Sequence, residues 1–551
     1  MKIKTWVFII CLILLTFSFG KSLNPFSKSM LEFHDETQVA RVQQFTLNLV
    51  NLKIPPRLAP DFSYKMGYPV FNFYAPFSYW ITSGINLLGF DIVNSLKLSF
   101  LLSIVLAFVF SYLFLRCFFD YFSSLFGAAS YASCLYFAIE VFVRGNLGET
   151  WFLTLFPLTL YLLYKNSIKP NPKAFFFSVI TLSAIYTTHN LLSILFLPVS
   201  ILFVLILKNK KVNLISIMIG LLLSSYFLVP MIIESPLTYA KQFATLTNFK
   251  DHFLCPSQLW QSLWGFGGSI PGCNDGMSFM LGKLQIIFFL IGLSFFVFNS
   301  TKKHKEKYFP ILLFLAILTI FSLFLTVYQS RFLWDFFAPL DSIIQFPWRF
   351  ISFSLLGLAC FGAYFFNKIH IPGKNTIALI CLITIILFNS KYFYRNSMAK
   401  NDYKYKYLSQ EYIEKQAAYK IAEYLPKTAN FLAWKNGVDF NYLLPIQTSE
   451  LDYQLIKNNP FEKEINVRPG VVKINIHYFP FWNISINGKT YQPNKFDLLG
   501  RPIININQPS IINISYRQTL VEMIGDLISL FAIVLTIVII NNKSTWKKIV
   551  S

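Results

Sequence analysis

Charge is what this sequence has least of. Only 13% of its 551 residues are Asp, Glu, Lys or Arg, about half the share found in soluble domains. Acidic side chains are the scarcer kind, 26 against 48 basic ones, and histidines number only 6. The shortfall is made up in apolar surface, with 55% hydrophobic and 18% aromatic residues. A soluble core cannot hide that much, whereas a bilayer can. The net charge of +22 would suit nucleic acid if the basic residues formed one stripe. They punctuate apolar runs instead, which argues against nucleic acid as a partner.

Metal-type Cys/His spacing is also missing. Of the 7 cysteines, Cys11, Cys134, Cys360 and Cys381 lie in apolar runs and Cys117 ends one, where they act as small hydrophobes. Cys255 and Cys273 share one polar loop; they are either a disulfide, if that loop is extracytoplasmic, or two free thiols. No small-x-small cleavage site follows the apolar run from Trp6 to Phe19, so that run reads as an uncleaved first span and not as a signal peptide. Internal repeats of the kind that mark transporters are not visible either.

Apolar runs of fifteen to twenty-four residues read as membrane spans. They fall at 5–19, 93–116, 120–142, 150–164, 174–188, 190–208, 212–233, 283–299, 309–328, 348–367, 375–390 and 520–541, twelve in all. The stretch 75–90 is either a thirteenth span or an interfacial helix, and the positive-inside rule arbitrates. With twelve spans and a cytoplasmic N-terminus, nearly every short inner loop is basic. These loops hold Lys2 and Lys4, Arg116, Lys165 and Lys173, Lys208, Lys210 and Lys211, Lys302, Lys303, Lys305 and Lys307, Lys368 and Lys374, and Lys543, Lys547 and Lys548. A span at 75–90 would put most of them outside, so that stretch is expected to be interfacial.

Three long polar pieces then face outward: 20–92, 234–282 and 391–519. The first two belong to a transmembrane domain over 1–390, and the last is long enough to be a domain itself. From Val471 to Tyr516 it alternates apolar and polar residues, with a turn at Asn487-Gly488, and reads as a small β-sandwich. A helix is expected before it, at 408–424. The remainder, 520–551, is a final span with a basic tail. The expected fold is a polytopic α-helical membrane protein of about twelve transmembrane helices, with a C-terminal extracytoplasmic domain inserted before the last helix.

Polar groups gather at the outer helix ends. Glu32-Phe33-His34-Asp35-Glu36 follows the first span; Arg144 and Glu149 flank one turn; His189 and Asn190 fill another; Glu234 ends the seventh span and Arg349 opens the tenth. Each alone suits a helix cap, a snorkelling side chain or a solvated loop. Together they suggest a polar cavity, because such groups cost a few kcal/mol at membrane depth unless paired or wet. The segment Pro55-Pro56-Arg57-Leu58-Ala59-Pro60-Asp61, with Gly67-Tyr68-Pro69-Val70-Phe71-Asn72-Phe73-Tyr74-Ala75-Pro76 after it, makes a rigid aromatic loop. It is either an interfacial belt or a wall able to hold a sugar or lipid phosphate.

These motifs, with Arg144-Gly145-Asn146, Glu149, His189-Asn190 and Phe346-Pro347-Trp348-Arg349-Phe350, resemble a bacterial membrane family called 6-pyruvoyl-tetrahydropterin synthase-related. The segment Tyr478-Phe479-Pro480-Phe481-Trp482 through Lys489 resembles the β-domain of YfhO-like proteins, where glycine usually replaces Phe481. The family is similar to the GT-C superfamily of membrane glycosyltransferases. The resemblance implies a multi-pass protein of the bacterial cytoplasmic membrane, and the basic loops with twelve spans put both termini on the cytoplasmic side. The resemblance also implies a polyprenyl-phosphate sugar donor and surrounding membrane lipids as partners.

Transfer of that kind needs one carboxylate to take the acceptor proton, and Asp35 is the expected base, with Glu36 second. Arg349, then Arg57 and Arg144, are expected at the departing phosphate; Glu149, His189, Asn190 and Glu234 are expected to bind substrate, with His34 beside the base. Some relatives use a divalent metal, for which His34, Asp35 and Glu149 are candidate ligands, although the sequence carries no metal motif. Rival readings are a lipid or polysaccharide transporter or flippase, and a non-catalytic protein of envelope assembly.

Overall fold

A backbone in lipid must satisfy its own hydrogen bonds, so long apolar runs fold as helices. The computed structural model, which describes residues 2–246, 248–265, 268–300, 308–336, 344–395, 397–448 and 453–550, places helix at each of the expected runs. Among the described residues, seven stretches are long and apolar enough to cross a bilayer: Ile3–Leu23, Ile92–Leu115, Tyr121–Arg144, Lys283–Ser300, Phe309–Thr326, Pro347–Lys368 and Leu520–Asn541. The pair Lys210–Leu223 and Ser225–Leu237 makes an eighth if the 61° bend between them lies within one span.

That is fewer than the twelve expected, for a reason of length. The helices Pro172–Tyr186, Asn190–Leu205 and Lys374–Ser390 are apolar but have 15, 16 and 17 residues. At 1.5 Å per residue they reach ~22–26 Å against a hydrocarbon core of ~30 Å. Leu147–Ile168 has 22 residues but includes Glu149, Thr150, Thr154 and Thr159. The stretch 75–90 contains the 11-residue helix Phe77–Leu87, too short to cross.

The loops sort to two ends of the bundle. At one end the basic turns meet: Lys374 pairs with Asp120 at 3.1 Å, Ser167 Oγ donates to the Lys208 carbonyl, and Lys211 Nζ donates to the Lys548 carbonyl. Lys302, Lys303, Lys305 and Lys307 lie outside the described residues. At the other end the three polar pieces bind one another. Strand β1 (Ser29–Leu31) pairs antiparallel with β2 (Ser397–Ala399), and Tyr239 N donates to the Leu425 carbonyl. Cys255 and Cys273 form a disulfide across the second piece. Helices approach closely through small residues; a Cβ on Gly292 would stand 1.9 Å from the Phe361 carbonyl oxygen.

The C-terminal polar piece carries two sheets. One has the order β4 (Tyr453–Asn459), β5 (Glu462–Val467), β10 (Ser510–Tyr516), β7 (Trp482–Ile486), β8 (Lys489–Tyr491). The other is β3 (Ile446–Thr448), β6 (Gly470–Ile474), β9 (Ile503–Ile506). Every pairing is antiparallel. The β7–β8 turn has Asn487 and Gly488 both at positive φ, the conformation that matches hairpin twist.

The segment expected as one helix at 408–424 is different. An α-helix occupies Lys400–Tyr407, followed by a π-turn at Tyr412–Gln416 and a 3₁₀ stretch at Ala417–Tyr424. The first loop draws carbonyls out of the helical ladder there. Tyr64 N donates to the Glu414 carbonyl at 2.5 Å, and Tyr68 Oη donates to the Ile421 carbonyl at 2.7 Å.

Candidate functional site

The expected site residues fall into two separate polar clusters at the end of the bundle that bears the sheets. The first is built on a helix break. Residues Glu140–Arg144 form a π-turn that ends at Gly145 in the left-handed region, φ +67°. Asn146 Oδ1 then accepts from Glu149 N and caps helix Leu147–Ile168. Any Cβ at Gly145 would lie 2.1 Å from the Phe33 ring, so the glycine lets the first loop close onto the turn. Backbone bonds complete that contact: His34 N donates to the Val143 carbonyl at 2.9 Å and Asp35 N to the Arg144 carbonyl at 2.8 Å.

Arg144 is paired with two glutamates. Its Nη1 donates to both Glu140 oxygens at 2.8 Å and to Glu149 Oε2 at 2.7 Å, and its guanidinium lies over the Trp348 ring. Glu149 Oε1 accepts from Tyr136 Oη at 2.9 Å and Ser352 Oγ at 2.5 Å. Two carboxylates therefore hold one arginine, and all of these side chains are buried.

Arg349 and Arg41 are held otherwise. Arg349 sits over the rings of Phe346 and Trp348, and its Nε has no hydrogen-bond partner among the described residues. Arg41, 4% exposed, stacks on Tyr74 and donates to Tyr79 Oη at 3.4 Å; its Nε is likewise unpartnered. Neither makes an ion pair with a described residue.

Asp35 and Glu36, adjacent in sequence, point to different partners. Asp35 Oδ1 is 2.9 Å from His34 Nδ1. Burial pushes the Asp35 carboxyl up, but the His34 hydrogen bond and the charges of Arg144, His34 and Arg41 outweigh it and hold the carboxyl below its ordinary range. Glu36 turns away and pairs with Lys420 at 2.9 Å. His189 caps helix Asn190–Leu205 through Nδ1 and lies within charge–charge range of Arg349 and Glu149. Both ends of the Asn190 amide are engaged with backbone, accepting from Ala75 N and donating to the Phe73 carbonyl.

Arg57 and Glu234 belong to the second cluster, with the last spanning helix. Arg57 donates to Asp526 at 2.7 Å and to Asn72 at 3.1 Å. Asn72 Nδ2 donates to Glu522 at 2.6 Å and Glu234 at 3.2 Å, and Thr519 Oγ1 donates to Glu234 at 2.6 Å. This network ties the first loop and the bent helix pair to the start of Leu520–Asn541.

Arg41 and Glu140 were not singled out in the sequence. Glu140 carried a usable signal, a charge inside an apolar run four residues before Arg144. Arg41 lies on the amphipathic helix Gln38–Val50, where it looks like a solvated residue until Tyr74 folds over it. As for a metal, no three His, Cys, Asp or Glu side chains converge as ligands among the described residues. Both oxygens of Glu149 already accept hydrogen bonds. His34, Asp35 and Glu149 therefore do not fit together as a metal-ligand set.

The helices and this polar end define a multi-pass membrane protein with a C-terminal sheet domain. Residues 71–397 match the profile of the 6-pyruvoyl-tetrahydropterin synthase related domain, a membrane-protein family. The chain belongs to that family. No curated protein sequence matches it. Among solved structures it is similar to the arabinofuranosyltransferase AftD from Mycobacteria, determined by single-particle cryo-EM, with 12% identity and a TM-score of 0.44. The similarity covers 72% of this chain and only 27% of that one.

Proposed function

We propose that this chain is an inverting membrane glycosyltransferase of GT-C type, moving a sugar from a polyprenyl-phosphate donor to an envelope lipid, glycan or protein. The observation that carries this reading is the pair of guanidinium groups, Arg41 and Arg349, that have no carboxylate partner among the described residues, with the Asp35 carboxylate within charge–charge range of Arg41. A sheltered cation without a counterion is costly, and a phosphate matches the guanidinium fork. Arg144 is consumed by two glutamates, so it orders the wall and does not hold the donor.

In the reaction the acceptor hydroxyl oxygen attacks the anomeric carbon and the bond from that carbon to the phosphate oxygen breaks. The hydroxyl proton passes to Asp35, and the phosphate leaves with its added charge facing Arg349 and Arg41. His34 orients the carboxylate, His189 faces the sugar, and Glu149, held by Arg144, Tyr136 and Ser352, shapes the wall behind it. Because the Asp35 carboxyl is held below its ordinary range, the base is ionised at neutral pH, and the acid limb of the rate profile lies below that of a free aspartate.

The cluster faces outward across the bacterial cytoplasmic membrane, with the three shorter apolar helices and Leu147–Ile168 completing twelve spans where the bilayer thins around them, and with both termini inside; alkaline phosphatase fused after residue 30 should be active and fused after residue 551 inactive. The 61° bend is a feature transporters share, but Glu234 at its end is locked by Thr519 and Asn72, which favours a fixed wall over a gate. The deciding experiment is gene deletion with mass spectrometry of envelope glycolipids and glycans, followed by complementation. One sugar should disappear, return with the wild-type gene, and stay absent with Asp35→Asn. Full restoration by both Asp35→Asn and Glu36→Gln would sink the carboxylate mechanism.

A further inference from the structure

Strand alternation gives the five-stranded sheet two unlike faces. Ile465, Ile484, Ile512 and Ile514 are buried beneath it. The opposite face is polar in register. Ser515 stands between Glu462 and Asn483, and Asn513 between Glu464 and Ser485. These two rows form the floor of a groove of about 420 Å³, with Arg517 at one end. All six floor residues are half-buried. The Ser515 hydroxyl is buried without a partner among the described residues, and Glu464 makes no ion pair with a described residue.

The chemistry narrows the ligand. The groove offers amides, hydroxyls and carboxylates, hence donors and acceptors together. Strands ~4.8 Å apart and rows ~7 Å apart make a floor of about 10 by 7 Å, the scale of one or two sugar rings. With Lys457 paired to Glu462, Glu464 offsets Arg517, so the groove carries no net positive charge to hold a phosphate or acidic ligand. Among the described residues Ile511 is the one large apolar side chain lining it, so an acyl chain has nothing to cover. The last spanning helix begins at Leu520, just after Arg517 in the chain, so the groove lies close to the membrane surface.

We propose that this groove binds an uncharged saccharide, one or two rings of a glycan held near the membrane. Naming that glycan as the acceptor rests on the transferase reading; the binding itself does not. The amides and Ser515 take ring hydroxyls, and Glu464 accepts from a pair of neighbouring hydroxyls.

The test uses the full-length protein in lipid nanodiscs, with saturation-transfer NMR against a panel of neutral mono- and disaccharides and one uronic-acid disaccharide. At least one neutral sugar should bind. Its affinity should fall about tenfold or more in Glu464→Gln, which loses a charged hydrogen bond, and in Ser485→Trp, which fills the floor. Asp35→Asn should bind as wild type does. Melting temperatures of both groove variants report folding, and Glu464→Gln is isosteric if Ser485→Trp fails to fold. The proposal is overturned if no neutral sugar binds, if binding survives Glu464→Gln, or if the uronic acid is preferred. If Asp35→Asn and Glu36→Gln both keep transfer while groove binding responds as stated, the carboxylate mechanism fails and the groove stands.

Discussion

Arg144 and Arg349 line the same polar end, yet their partners assign them opposite roles. Arg144 neutralises Glu140 and Glu149. Arg144→Met would strand two buried carboxylates and should destabilise the protein by ~3–5 kcal/mol, read as a lower melting midpoint in detergent. Arg349 has no ion pair with a described residue to lose. Arg349→Met should leave stability unchanged or raise it, because a sheltered cation without a counterion is removed, while lowering transfer by about 10²–10³-fold, measured with lipid-linked donor in membranes. If instead Arg349→Met melts early and Arg144→Met does not, the two roles are reversed. Asp35 and Glu36 show the same separation. No property of two adjacent acids distinguishes them until the backbone bonds to Val143 and Arg144 set which one faces the cluster.

At the scale of elements, the turn after Arg144 depends on a residue without a Cβ. Gly145→Ala meets both the left-handed φ and the Phe33 ring 2.1 Å away. It should cost about 1–3 kcal/mol and reduce transfer too, because the displaced Phe33 carries His34 and Asp35 with it. A drop in melting temperature with transfer unchanged would show that the loop is not positioned by this turn. The second polar piece is closed by Cys255–Cys273, 18 residues apart. Reduction, or Cys255→Ser with Cys273→Ser, should remove roughly 3 kcal/mol, seen as a lower unfolding midpoint under reducing conditions.

Across the whole molecule, the first loop and the sheet domain are joined by one buried chain of hydrogen bonds. Trp434 Nε1 donates to Ser63 Oγ at 2.7 Å, Ser63 Oγ donates to His477 Nε2 at 2.6 Å, and His477 Nδ1 donates to the Leu499 carbonyl at 2.9 Å. This arrangement requires a neutral imidazole. Burial lowers the His477 pKa to about 4, against about 6.5 in an unfolded chain. Its contribution is therefore fully present above pH ~6.5 and declines as the pH falls toward ~4, by roughly 3 kcal/mol in total. Protease sensitivity of the sheet domain should rise over that window. His477→Gln should flatten the dependence; an unchanged pH profile in that variant would place the titrating group elsewhere.

Composition and periodicity alone determined that this is a membrane protein, where its apolar helices lie, and that β-strands precede the last of them. These properties depend on local sequence: an apolar run must hydrogen-bond within itself in lipid, and alternation sets a strand's two faces. The basic loops likewise marked one end of the bundle. Tertiary structure alone decided how the polar residues pair. Arg57 and Glu234, expected beside Asp35, instead join Asn72, Glu522 and Asp526, because the last helix brings acids from the far end of the chain against the first loop. The break-up of 408–424 into π and 3₁₀ turns has the same origin, since Tyr64 and Tyr68 compete for its carbonyls. Arg41 became visible only when Tyr74 folded over it. Contacts between residues hundreds of positions apart carry no periodic signal, and so the membership of each cluster was settled by the fold.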